Sequence, residues 1–241
     1  MDRKKGKRWQ FRGLRGPVEA SLVTYAAAPE DPERAIETVR PYAEAGATWW
    51  IEAMWEAGSL ERATDNLAAW LEAHPEAAIV GPRLVDDRGE PELSFGPMIS
   101  PLGELRQKVV TGLHARGVPL ASSWVRRVTS REHRVDWVSG ACLLVRRAVA
   151  EQVGLLDERF FLYTEDVDFC ASVRAAGWKV LFTPAAEIVH LRGRSRATAP
   201  RQMNAAYRRS HLAFYEKHHP RWVRWLEVYL RVKRQMPPPN R

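Results

Sequence analysis

Cysteine is scarce in this 241-residue chain: Cys142 and Cys170 are the only two, each inside an apolar pattern and without metal-ligand spacing. That excludes a disulfide scaffold and a cysteine-based metal site, and fits reduced core residues. Long apolar runs are also lacking, and none approaches the roughly 20 residues that span a bilayer. The basic N-terminus, MDRKKGKRWQFRGLRG, has no apolar segment behind it, which excludes a signal peptide. No internal repeat occurs. What remains is 45% hydrophobic and 27% charged residues, the composition of a soluble globular protein with length enough for one α/β domain and a real core.

Basic residues are outnumbered by acids in the middle of the chain. Residues 1–16 carry +6 and residues 192–241 carry +11, so against a total of +8 the body between them carries −9. An acidic body between basic ends lacks the even positive face of a nucleic-acid binder, so no nucleic-acid partner is expected. Residues 200–234 read as one long terminal helix, with Tyr207, His211, Phe214, Tyr215, Trp222, Trp225 and Tyr229 near one side. Lys217, Arg221, Arg224, Arg231, Lys233 and Arg234 border that stripe, a pattern suited to an anionic membrane surface or to packing on the domain.

Strand and helix patterns alternate, which predicts an α/β fold whose sheet has a parallel portion. VEASLVTY and AAIVGPRLVD read as strands, the latter closed by a turn at Asp87-Arg88-Gly89. GSLERATDNLAAWLEAHPE reads as a helix ended at His74-Pro75, and DWVSGACLLVRR as a strand followed by a short helix. Four regions result: a disordered basic arm over 1–16, a βα unit over 17–58, an α/β domain over 59–199, and the basic amphipathic helix and tail over 200–241.

The densest chemistry lies in GLLDERFFLYTEDVDFCASVRAAGWKVLFTPAAEIVHLRG, residues 154–193. Asp157, Glu158, Glu165, Asp166 and Asp168 crowd into twelve residues among Phe160, Phe161, Tyr163 and Phe169, with Arg159 the sole basic residue between 155 and 173. Carboxylates packed together against aromatics have altered proton affinities, which suits a general base or a cation site. Thr164 stands where an N-cap belongs, with three acids in the first turn of a helix that stops at Gly177. Beyond it, Trp178 to Phe182 reads as a strand broken by Pro184, and Glu187 to Leu191 as another carrying His190.

Taken with GACLLVRRAVAEQVG before it and AAYRRSHLAFYEKHHP after it, this stretch resembles the C-terminal half of inverting family-2 glycosyltransferases, especially the rhamnosyltransferase-like branch. The likeness runs over about residues 60–225. It implies a GT-A-like mixed sheet, a nucleoside-diphosphate sugar donor, a glycan or lipid-linked acceptor, and Mg²⁺ or Mn²⁺ at the leaving diphosphate. The family's base lies in the Glu-Asp pair before the helix, here Glu165-Asp166, with Asp166 as the base itself. Asp157 matches an acid that orients the acceptor or its loop, and His190 a histidine that joins the metal or the diphosphate. Substrate contacts are carried over to Trp137, Gly140, Ala141, Asp168, Arg192 and Arg194, the arginines suited to phosphate through their planar forks.

The family's nucleotide-binding half is incomplete or replaced. SLVTY matches its first strand, but Ala26 stands for the expected Asn, and no strand ends in a nucleotide-binding Asp. The Asp-x-Asp acids would fall on Trp50 and Glu52, and tryptophan ligates no metal. Residues 18–57 instead resemble a late βα unit of luciferase-like flavin monooxygenases, without the rest of a barrel, so no flavin site is expected. A fused product and a divergent transferase with an abbreviated donor site both explain this. Two functions follow: a sugar transferase at the cytoplasmic face of a membrane, or a catalytically inactive remnant acting as a binding or scaffold protein.

Overall fold

The computed structural model describes residues 10–13, 20–24, 57–160, 163–190 and 200–238. Its main sheet has six strands in the order β1-β2-β7-β3-β8-β5. They are β1 (Gln10–Gly13), β2 (Ala20–Thr24), β3 (Ala77–Val85), β5 (His133–Val135), β7 (Cys142–Arg146) and β8 (Lys179–Val189). Only β3 and β8 run parallel; every other neighbouring pair is antiparallel. The parallel portion expected from the alternating pattern is the β3–β8 pair, and the mixed sheet implied by the family resemblance is present. Two short strands, β4 (Phe95–Gly96) and β6 (Trp137–Val138), pair separately.

Period-two patterning splits the sheet into two buried faces. Ile79, Leu143, Val145, Val180 and Phe182 pack with Val149 and Ala150 of helix α4 (Arg147–Gln152) and Phe169, Cys170 and Val173 of α5 (Glu165–Ala175). Val80, Cys142, Leu144, Leu181 and Ile188 face the other way, onto Leu67 and Leu71 of α1 (Ala57–Ala73). Both cysteines are buried and unbridged, as their apolar settings imply, and burial pushes each thiol up to about 12. The acid-bearing helix α5 thus leans on a two-sided core.

Several local expectations are corrected. Gln10–Gly13, inside the arm read as disordered, pairs with β2 in register from Gln10–Thr24 to Gly13–Ser21. Pro184 does not end a strand. β8 continues through it, because the register jumps from Pro82–Thr183 to Arg83–Glu187 and leaves Pro184 in an irregularity where no ladder donor is required. The segment read as one strand from Asp136 breaks at Ser139-Gly140-Ala141 into β6 and β7. The terminal helix is also two: α6 (Pro200–His218) and α7 (Val223–Val232), separated by a 3-10 turn at Pro220–Trp222, where Pro220 cannot donate. The βα unit expected at 17–58 lies largely outside the described residues.

One close approach fixes the site's geometry. A Cβ on Gly81 of β3 would meet Val138 Cβ at 2.6 Å, so the strand leading to Gly140 sits where only a glycine leaves room. Gly81→Ala is expected to cost about 1–3 kcal/mol by overpacking. Thermal unfolding checks this, and an unchanged midpoint refutes it.

A second contact ties helix α2 (Pro101–Ala115) to α6. Glu104 accepts from His211 Nε2 at 2.5 Å, from Lys108 Nζ at 2.8 Å and from the Tyr215 hydroxyl at 3.3 Å. Burial alone would raise this carboxyl, but the His211 hydrogen bond and charge, then Lys108, outweigh it and bring the group to about 2. A folded pKa below the unfolded one gives stability present at neutral pH and lost as pH falls from about 4.5 toward 2. Glu104→Gln is therefore expected to cost about 3 kcal/mol at pH 7 and about half as much at pH 3 in urea unfolding. A pH-independent difference would refute the ionic origin.

Candidate functional site: the acids at the mouth of α5

The chain enters α5 through a strained turn. Tyr163 and Thr164 both have φ of 63°, the left-handed region, at a cost of about 1–3 kcal/mol each for non-glycine residues. Thr164 occupies the N-cap position but does not cap with its side chain; its Oγ1 donates to the Tyr163 carbonyl at 2.7 Å. Asp166 satisfies an orphan donor instead, its Oδ1 accepting from Val167 N at 2.8 Å. Its Oδ2 accepts from Gly140 N, also at 2.8 Å. Two backbone donors from two elements therefore fix the orientation of this half-buried carboxylate. Glu165 beside it is buried.

Gly140 follows Ser139, whose N–H donates to the Ser94 carbonyl at 2.7 Å. Two residues earlier, Glu92 donates its N–H to Leu84 O and accepts from His190 Nδ1 at 3.0 Å. His190 also donates its N–H to Val85 O at 2.7 Å. The extended segment 91–96 thus joins the Asp166 neighbourhood to the Glu92–His190 pair at the carboxyl ends of the parallel strands β3 and β8. That is the edge at which open α/β sheets bind ligands.

The other acids are bound inward. Asp157 is gripped by Arg159, with Nη2 to Oδ2 at 2.5 Å, and accepts from Lys217 Nζ at 2.9 Å. The Arg159 hydrogen bonds hold its carboxyl well below the usual carboxylate range, and Lys217 adds to this. Asp168 is 2% exposed, with one oxygen on Lys217 Nζ at 2.9 Å and the other on His218 Nε2 at 2.6 Å. Lys217, grouped above with the outward basic residues of the tail, therefore clamps α6 to the acid cluster. Trp137 donates its indole N–H to Pro97 O at 2.8 Å, and Ala141 is buried with its N–H on Ser139 Oγ at 3.2 Å.

Asp166, Gly140 and Ala141 come together as one constellation, and Asp157 and Asp168 as a second one around Lys217. Arg192 and Arg194 lie outside the described residues. Glu92, Lys217 and His218 were not among the candidates from sequence. Their partners stand 49 to 98 positions away, a separation no local pattern reveals. Among the described residues no three His, Cys, Asp or Glu side chains gather to hold a metal ion. His190 and Glu92 supply two donors, so the described residues do not by themselves make a site for Mg²⁺ or Mn²⁺.

Comparison with known proteins bears on the family. Residues 122–224, which include β6, β7, α5, β8 and α6, match the family model described as "Glycosyltransferase like family 2". The chain is 32% identical over 189 residues to the N-acetylglucosaminyl-diphospho-decaprenol L-rhamnosyltransferase of Mycobacterium tuberculosis, covering 75% of this chain and 60% of that protein. It thus spans about three fifths of that relative's length. The rhamnosyltransferase WbbL of Escherichia coli is 36% identical over 56 residues, 23% of this chain and 21% of WbbL. Among solved structures, GalNAc-T7 with UDP, GalNAc and Mn²⁺ aligns over 84% of this chain and 45% of its own, at 14% identity and a TM-score of 0.34. Residues 122–224 match the family-2 glycosyltransferases, and the chain is similar to the rhamnosyltransferases among them.

Proposed function

We propose that the chain transfers a sugar, with inversion, from a nucleoside-diphosphate donor to a hydroxyl of a lipid-linked or polysaccharide acceptor. The supporting observation is the Asp166 carboxylate, oriented by the N–H groups of Gly140 and Val167 at the carboxyl edge of the parallel strands. An oriented carboxylate takes the acceptor proton as the acceptor oxygen bonds the anomeric carbon and the bond to the diphosphate oxygen breaks on the opposite face. A relative whose name specifies a diphospho-decaprenol acceptor supports a lipid-linked acceptor of the same chemical kind.

Asp157 and Asp168 are assigned to holding α6 against α5 rather than to touching substrate, because Lys217, Arg159 and His218 take up their oxygens. Gly140, which donates to the base, and Trp137, three residues before it on β6, are the candidates proposed for substrate contact. A divalent cation, when bound, would shield the charge building on the diphosphate, with His190 as one ligand.

Calorimetric titration with a panel of nucleoside diphosphates, with and without Mn²⁺, tests the donor side. Heat from at least one of them, increased by Mn²⁺, is the expected result. Silence across the panel would overturn the enzyme and leave the inactive binding remnant.

A further inference from the structure

We infer that the outward faces of α7 and α2 form a docking surface for an anionic lipid bilayer, on which the protein lies without spanning. The inference deepens the reading of a lipid-linked acceptor but rests on separate residues. At 100° per residue, α7 turns Leu226 and Leu230 inward onto Phe214 and Tyr215, and it turns Trp225, Val228 and Val232 outward. Trp225 is 68% exposed and Val232 76%. Arg224 and Arg231 run along one flank of that apolar line and Tyr229 along the other. A surface helix normally shows solvent its polar face; this one shows an apolar centre with basic and aromatic borders, the pattern of interfacial helices.

Helix α2 repeats the anomaly. It buries no residue fully, and it exposes Leu102, Leu105, Val109 and Leu113, one stripe at i, i+3, i+7 and i+11, with Leu102 82% exposed. The two helices share a support: Glu104 of α2 accepts from the Tyr215 hydroxyl, and Tyr215 of α6 packs in one cluster with Leu226 and Leu230 of α7. Exposed apolar stripes of this kind mark an interaction site.

Charge selects the occupant. On these two helices and the turns that bound them stand Arg106, Lys108, Arg116, Arg221, Arg224, Arg231, Lys233 and Arg234. The two acids, Glu104 and Glu227, are each matched by a base, Lys108 at 2.8 Å and Arg231 at 3.3 Å. A second copy would set two such positive rims against each other, whereas an anionic bilayer complements both the rim and the apolar centre. Among the described residues no helix is long and apolar enough to cross a membrane, so the contact is superficial. Because Lys217 ties α6 to Asp157 and Asp168, and α6 leads through the 3-10 turn to α7, the acid site stands in fixed relation to this surface.

The test is cosedimentation of the full chain with phosphatidylcholine vesicles, with and without phosphatidylglycerol, alongside size-exclusion chromatography. The native protein is expected to pellet only with phosphatidylglycerol present. Trp225→Ser with Val232→Ser, and separately Leu102→Ser with Leu105→Ser, are each expected to weaken partitioning at least about tenfold. Arg224→Gln should weaken it about fivefold, with the effect shrinking in high salt. All five positions are exposed, so folding is retained, and circular dichroism verifies it. Three results overturn the inference: native protein left in the supernatant, partitioning unchanged in both apolar pairs, or a native dimer that the same substitutions convert to monomer. Nucleotide heats are read on the same variants. Native protein that binds nucleotide but no vesicle sinks the surface alone, and native protein that binds vesicles but no nucleotide sinks the transferase reading alone.

Discussion

Asp166→Asn is expected to lower turnover by about 10²- to 10⁴-fold while leaving the donor's apparent affinity within a few-fold of native. The substitution keeps the shape of the side chain and removes its ability to take a proton. An amide offers one acceptor oxygen, so it can satisfy Val167 N or Gly140 N but not both, and one hydrogen bond of about 1 kcal/mol is lost. That loss is too small to unfold a domain whose sheet is packed on both faces. Activity and stability therefore separate: a variant with a near-native melting point and collapsed turnover identifies the base. Glu165→Gln serves as the companion, since Glu165 is buried and its neighbour is the carboxylate held by donors from two elements. Turnover of Asp166→Asn within about threefold of native would move the base elsewhere and reduce the Glu-Asp pair to a helix start.

Periodicity and punctuation made much of this architecture legible before any coordinates. The apolar runs at Ala77–Val85 and Cys142–Arg146 became strands because every residue there but Arg83 and Arg146 is buried, a pattern that only a doubly covered sheet requires. Gly177 ended α5 as expected, with φ of 91° just beyond the last turn. The failures have a common cause. Pro184 breaks a strand by local rules, yet the sheet absorbed it in a register irregularity beside Pro82, which depends on a strand about a hundred residues away. Thr164 looked like a capping residue, but the backbone there turned left-handed and Asp166 met the donor at Val167. The basic residues bordering the tail's aromatic stripe do not all behave alike. Arg221, Arg224, Arg231, Lys233 and Arg234 are exposed, whereas Lys217 reaches inward to two acids. Local pattern fixes which residues are charged; only tertiary contact decides which charge is satisfied.

Lys217→Met is expected to destabilise the fold by about 3 kcal/mol, or about 10 °C in melting temperature for a domain of this size. One ammonium stands 2.9 Å from both Asp157 Oδ2 and Asp168 Oδ2, and Asp168 is nearly inaccessible to water. Methionine keeps an apolar stem of similar length but removes the charge, and with it the ammonium 5.8 Å from the Phe160 ring centre, leaving a buried carboxylate with His218 as its remaining described partner. Burying two charges gains little, but stranding one is costly, and that asymmetry sets the size of the effect. Asp168→Leu added to Lys217→Met removes the stranded charge, so the double variant should recover part of the loss. Strict additivity of the two would show that the residues are not coupled. Acidity supplies an independent check. The folded Asp157 titrates below its unfolded value, so the clamp is at full strength above about pH 5 and fades as pH falls through the folded range. The gap between native and Lys217→Met should narrow correspondingly on acidification. A single variant as stable as native would mean that α6 is held by Phe214 and Tyr215 packing alone, and that the acids at the mouth of α5 owe their arrangement to something other than this lysine.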